Sequence, residues 1–165
     1  MKIKNNMPIG VLSDTHGYLP IELQDIFKDV QLILHAGDFG GAAIYRQLQE
    51  IAPVLAVRGN NDMTPEYQAI SPTEAALLED NSLLYMVHDL YYLPIDPVAA
   101  NCRVIIHGHT HISSFVEKDG VTYINPGSAS RPRRGENPSV GILTIQKESL
   151  RWKRIELEFM KGLNR

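Results

Sequence analysis

The sequence predicts an α/β fold in which two sheets pack face to face with helices outside. Three observations carry this expectation. Apolar runs of strand length alternate with amphipathic stretches in the first half, hairpin signals fill the last third, and polar residues gather where the runs end. Alternation of the first kind marks a largely parallel sheet covered by helices, whereas hairpins mark antiparallel additions.

In chain order, Ile9 to Ser13 is a buried strand, and Ile21 to Val30 repeats apolar residues (Ile21, Leu23, Ile26, Phe27, Val30) at near-helical spacing. Leu32 to Ala36 is the second strand, Ala42 to Ile51 the second helix and Val54 to Val57 the third strand. Leu83 to Val87 and Val104 to Ile106 are further buried strands, joined through Pro94 to Asn101, a short helix or an irregular crossover. Phe115 to Glu117 and Val121 to Ile124 flank Lys118-Asp119-Gly120, where Asp-Gly supplies the positive φ of a tight hairpin turn. Val140 to Ile145 and Leu150 to Leu157 form the last strand pair.

At 165 residues and 44% apolar, with no repeat and no linker, the chain reads as one domain, residues 1–165, large enough to bury a real core. Its single cysteine, Cys102, excludes a disulfide framework and points to a reducing cytoplasm. Sixteen Lys plus Arg against nineteen Asp plus Glu give a net charge of -3, which is no nucleic-acid footprint. Lys2 and Lys4 precede no signal-type apolar stretch, since Asp14 and His16 interrupt the first run. The longest apolar runs are about five residues, far below the ~20 that span a bilayer. A soluble protein without a membrane partner is expected.

The polar residues fall at the carboxyl ends of strands, where open α/β sheets bind ligands. The first strand ends in Asp14-Thr15-His16, the second in Gly37-Asp38, the third in Gly59-Asn60-Asn61-Asp62, the fourth in His88-Asp89 and the fifth in His107-Gly108-His109-Thr110-His111. Any one of these alone would be a helix cap, a turn former or a satisfied buried histidine. All of them together are not. With His35 counted, all six histidines lie at these ends. Carboxylate, imidazole and carboxamide without thiolate suit Mn, Fe, Ni, Co or Zn rather than Ca or Mg. Asp14, His16, Asp38, Asn60, His88, His109 and His111 are more donors than one ion takes, so two ions sharing a carboxylate fit. Such a pair, ~3.5–4 Å apart, clamps a phosphoryl oxygen and generates a bridging hydroxide at neutral pH for in-line attack.

These residues resemble the calcineurin-like metallophosphoesterases, and within them the small bacterial and archaeal YfcE-type phosphodiesterases. The motifs are Ser13-Asp14-Thr15-His16-Gly17, His35-Ala36-Gly37-Asp38, Val57-Arg58-Gly59-Asn60-Asn61-Asp62, Val87-His88, Gly108-His109-Thr110-His111 and Asn125-Pro126-Gly127-Ser128. They span nearly the whole chain in the family's order. The resemblance implies a four-layer α/β/β/α sandwich and a metal-dependent phosphodiesterase. It implies two divalent transition-metal ions, manganese first, with nickel, iron, cobalt or zinc as alternatives. Asp14, His16 and His111 would hold the first ion and Asn60, His88 and His109 the second, with Asp38 bridging.

Two positions depart from the family pattern. Asp89 follows His88 where Gly is usual, and its carboxylate would either support the site or repel an anionic substrate. Asn61 stands where larger relatives have His and small ones often have Cys; an amide is no acid at ordinary pH. Asn61 and Arg131 are the candidate substrate contacts, the latter because a guanidinium fork suits phosphate oxygens. His35 reads as a hydrogen-bond support for the bridging carboxylate, and His107 as a packing residue.

The expected partner is a small phosphoester, with a homo-oligomer left open. The alternative from another class is a non-catalytic protein-interaction scaffold of the retromer-subunit kind, distinguished by an incomplete ligand set. A metallo-β-lactamase type of site is disfavoured because Ile112-Ser113 follows His109-Thr110-His111 where Asp-His would be needed.

Overall fold

The computed structural model describes residues 1–158. Its strands are β1 (Pro8–Leu12), β2 (Leu32–His35), β3 (Val54–Ala56), β4 (Thr73–Leu77), β5 (Leu83–Val87), β6 (Cys102–Ile106), β7 (Ser114–Lys118), β8 (Val121–Asn125), β9 (Ser139–Ile145) and β10 (Leu150–Glu156). Two α-helices, α1 (Leu23–Ile26) and α2 (Ala42–Ile51), join them.

The strands form two five-stranded mixed sheets, ordered β10-β9-β1-β2-β3 and β4-β5-β6-β8-β7. In the first, β1, β2 and β3 are parallel and β9 runs antiparallel to β1. In the second, β5, β6 and β8 are parallel, with β4 and β7 antiparallel at the edges. The last hairpin therefore returns to the first sheet. The fold is the expected α/β arrangement of packed sheets.

Alternation along each strand explains the layering. Ile9, Val11, Leu32, Leu34 and Leu143 from the first sheet meet Leu84, Met86, Val104, Ile106 and Ile124 from the second in one buried core. The opposite face of the first sheet, through Leu12 and Ile33, packs under Leu23, Phe27, Ile44 and Leu48 from the helical connections. Gly10 makes room there, since a Cβ would sit 2.9 Å from the Phe27 ring. The outer face of the second sheet, Val87, Cys102, Ile105 and Val121, is covered by Leu90, Leu93 and Ile95.

Three local outcomes differ from the sequence expectation or settle it. The first helix shrinks from Ile21–Val30 to the four residues of α1, because its start has no side-chain cap and the chain must turn after Phe27 to enter β2. The Pro94–Asn101 crossover is irregular, with Asp96 accepting from the N–H groups of Val98 and Ala99. The outer layer on the second sheet is accordingly thin. Strand β4 has no sequence signal, since Thr-Glu-Ala-Ala-Leu favours a helix; pairing with β5 overrides that preference. The edge of β4 is partly covered by the N-terminal segment, where the Ile3 N–H donates to the Leu77 carbonyl at 2.9 Å.

Candidate metal centre

The parallel strands of both sheets stop at a common crevice. Loops after β1, β2 and β3 enter it from one sheet, and loops after β5 and β6 from the other. Gly108 lets the two halves meet, because a Cβ there would collide with the Ser13 hydroxyl oxygen and approach Asp14 Oδ2 to 2.8 Å.

Two donor groups result. In the first, Asp14, His16, Asp38 and His111 each offer one atom, and these atoms all lie within 4.8 Å of one another. His111 Nδ1 donates to the Arg131 carbonyl at 2.6 Å, which turns Nε2 inward, 3.3 Å from Asp14 Oδ1 and 3.2 Å from His16 Nε2. In the second, Asn60 Oδ1 lies 3.1 Å from His88 Nε2 and 3.0 Å from His109 Nδ1. His88 Nδ1 donates to the Ala36 carbonyl at 2.7 Å, which again leaves Nε2 free to face the crevice. Asp38 Oδ2 stands between the groups, 3.8 Å from His16 Nε2 and 3.5 Å from His88 Nε2.

The backbone is bent to achieve this. Asp14, His16, Asp38, His109 and His111 have φ of 54°, 44°, 61°, 67° and 60°. A non-glycine residue in that region costs roughly 1–3 kcal/mol unless its surroundings enforce it, and such residues cluster at functional sites. Here the surroundings do. Asp62, buried below the site, accepts from the N–H groups of Asp38 at 2.7 Å, Phe39 at 2.8 Å and Gly59 at 2.9 Å. The Asp14 carbonyl accepts from Ser128 Oγ at 2.7 Å. Asn125 Nδ2 donates to the Gly108 carbonyl at 2.8 Å and to Thr110 Oγ1 at 3.0 Å.

Charge follows geometry. Burial opposes ionisation of Asp38, but hydrogen bonds from His88 and Asn61 and the charge of His88 outweigh it and hold the carboxyl well below the usual range. Burial also opposes protonation of His88, yet Asp38 and Asp14 raise its pKa overall. The Asp14 carboxylate beside His111 is the main reason that the His111 pKa is raised. His16 is lowered, chiefly by burial. Among the described residues, Asp14 Oδ1 is buried without a hydrogen-bond partner of good geometry, although His111 is at ion-pair distance. An unpartnered carboxylate oxygen ringed by imidazole nitrogens fits a divalent cation.

The remaining sequence candidates fall as follows. Asn61 lies on Asp38, donating its backbone N–H to Oδ1 at 2.9 Å and Nδ2 to Oδ2 at 2.6 Å. Arg131 is exposed, and its guanidinium stands near enough to His16 to disfavour protonation of that ring. Asp89 is half-buried; Oδ1 accepts from the Tyr91 N–H at 3.0 Å and Oδ2 lies 3.5 Å from His109 Nε2, so it orients His109. His35 Nδ1 accepts from the Gly37 N–H at 3.1 Å while Nε2 meets Thr15 Oγ1 at 3.0 Å, and burial lowers its pKa to about 3. His107 is buried beside Asn125, its pKa lowered to about 4 by burial. Both are neutral and turned inward. Sequence reasoning passed over Asp62, although an Asp three residues after Gly59 is a recognisable turn acceptor.

Two mixed sheets that deliver oxygen and imidazole donors to one crevice have the architecture of a metallophosphoesterase. The chain belongs to the calcineurin-like phosphoesterase superfamily, whose domain pattern matches residues 7–148. A probable metallophosphoesterase of Methanothermobacter thermautotrophicus is 36% identical over 157 residues, covering 87% of this chain and 89% of the relative. Phosphodiesterase YfcE of Escherichia coli is 29% identical over 161 residues, covering 83% and 87%. A solved archaeal phosphodiesterase superposes with a TM-score of 0.74 at 29% identity, covering 90% of this chain and 100% of its own.

Proposed function

We propose that the protein is a metal-dependent phosphodiesterase built as one domain over residues 1–165, of which 159–165 lie outside the described residues. The observation that carries this reading is Asp38 Oδ2 standing between two donor groups. Asp14, His16 and His111 would hold one divalent ion, Asn60, His88 and His109 a second, and Asp38 both. When bound, two such ions supply Lewis acidity toward a phosphoryl oxygen and lower the pKa of water. Manganese is the proposed native metal, with nickel, iron, cobalt or zinc as substitutes.

The chain's own groups do the rest. His88 and His111 present Nε2 because carbonyls hold their Nδ1–H groups. Asp89 fixes the ring of His109. Arg131 is the proposed phosphate contact beside the first group, and Asn61 acts through Asp38. Among the described residues no side-chain acid stands ready for the leaving group, since Asn61 is an amide and His35 and His107 are buried; water supplies that proton. This arrangement favours good leaving groups such as aryl esters. The relatives named as phosphodiesterases support the diester assignment, and the full set of donor types at seven positions disfavours the scaffold alternative.

Among the described residues no helix is long and apolar enough to cross a membrane, and a cytoplasmic enzyme acting on a small phosphoester is the proposal. The test compares kcat/KM on paired aryl diesters and monoesters after loading with Mn, Ni, Co, Zn or Mg. Diesters should be preferred. A clear monoester preference would overturn the assignment.

A further inference from the structure

A cavity of about 410 Å³ opens beside the second donor group, touching Asn60, His88 and His109. That volume lies in the ~300–1,000 Å³ range of small-molecule sites. Its other walls are Arg58, Gly59, Pro72, Thr73, Val87 and Tyr92, contributed by the segment after β3, the start of β4, the end of β5 and the β5–β6 crossover. Arg58 is half-buried, and its backbone is tied down, its N–H donating to the Ser71 carbonyl at 2.9 Å. Arg103 and Arg154 hold carboxylate partners, but among the described residues Arg58 holds none. Asp89 also lines the cavity, yet its two oxygens face the Tyr91 N–H and His109. Arg58 is therefore the cation of this space that no carboxylate holds, and its guanidinium is left to meet a ligand oxygen.

Tyr92 is 72% exposed at the mouth, its ring steadied edge-on by Tyr91 with ring centroids 5.0 Å apart. Tyrosine, proline and valine walls suit a flat apolar group, and a guanidinium suits an anionic oxygen. We infer that this cavity is the subsite for an aromatic or heteroaromatic ester group of a monoanionic phosphodiester, with Arg58 against a phosphoryl oxygen and Tyr92 against the ring. The inference rests on the phosphodiesterase reading. It adds a specificity determinant on the side of the crevice opposite Arg131, which stands by His16.

The test uses phosphinate anions, which have two P–C bonds and no ester to hydrolyse. Zinc-loaded protein is titrated with methylphenylphosphinate and with dimethylphosphinate, and binding is followed by NMR. The wild type should bind the phenyl compound about tenfold more tightly. Tyr92→Ala, at an exposed position, should abolish that preference by weakening the phenyl compound alone. Arg58→Gln should weaken both anions about equally, by roughly fivefold or more, and Arg58→Lys should recover part of the loss. Equal affinities in the wild type, a preference that survives Tyr92→Ala, or unchanged constants in Arg58→Gln would each overturn the inference. Hydrolysis of an aryl diester by the manganese-loaded enzyme is measured alongside. Phenyl-selective binding without turnover would remove the hydrolase reading and leave the subsite, whereas turnover without selectivity would do the reverse.

Discussion

Replacing Asp38 with Asn should damage the site more than any other single ligand change. The carboxylate faces both donor groups through Oδ2, while each of the other six residues faces one. Asp38→Asn is expected to lose both ions and to lower kcat/KM by at least about 100-fold, read by elemental analysis of the folded variant together with kinetics. Near-normal metal content and activity would show that Asp38 is not shared. At this scale the identity of the donors was legible in the sequence, because carboxylate, imidazole and amide recurred at successive strand ends. Their support was less so. Asp62 looks like an ordinary turn residue, and only the folded chain gathers the N–H groups of Asp38, Phe39 and Gly59 around it. Asp89 likewise could have faced substrate or protein; its contacts with His109 and Tyr91 turn it toward protein.

Among the elements, the loops after β1 and β6 decide whether the two sheets form one site. Gly108 sits where these loops touch, with no room for a methyl group against Ser13 and Asp14. Gly108→Ala should therefore separate them, destabilising the fold by roughly 1–3 kcal/mol and weakening metal binding in the molecules that remain folded. Urea denaturation and a metal titration measure the two effects. A variant with wild-type stability and affinity would mean that the contact is slack. Strands β1, β2, β5 and β8 are readable because buried β-branched and leucine runs admit little else. The hairpin between β7 and β8 is readable because Asp119 and Gly120 both take positive φ, 53° and 77°, as a two-residue turn demands. The helix of Ile21–Val30 was readable in place but not in length, since the turn into β2 cuts it to Leu23–Ile26, and strand β4 was not readable, since a distant partner stabilises it. The spacing of two in Asp14-Thr15-His16 and His109-Thr110-His111 resembles a strand face. In the structure it is a loop that alternates through the left-handed region.

For the molecule as a whole, the buried histidines make stability depend on pH. His107 has a folded pKa near 4, below its ordinary value of 6.5, because burial excludes the charged form. The unfolded chain takes up a proton below about 6.5 while the folded chain does not, so the stability present above 6.5 falls as pH drops toward 4. Between pH 6.5 and 4.5 this amounts to about 2 kcal/mol. His107→Gln, which cannot titrate, should show a shallower decline than wild type by that amount in chemical denaturation of the metal-free protein. Parallel pH profiles would remove His107 as the cause. The packing of the two sheets follows from alternating burial, and its consequence is that ligands far apart in sequence, Asp14 and His111 or Asn60 and His88, share a few ångströms of space.

The most direct test of the two-ion phosphodiesterase is a titration of chelator-stripped protein with manganese, following hydrolysis of an aryl phosphodiester against metal bound per chain. The account predicts negligible turnover without metal and a rise that levels off at two equivalents. Full turnover by metal-free protein, or a plateau at one equivalent, would contradict it.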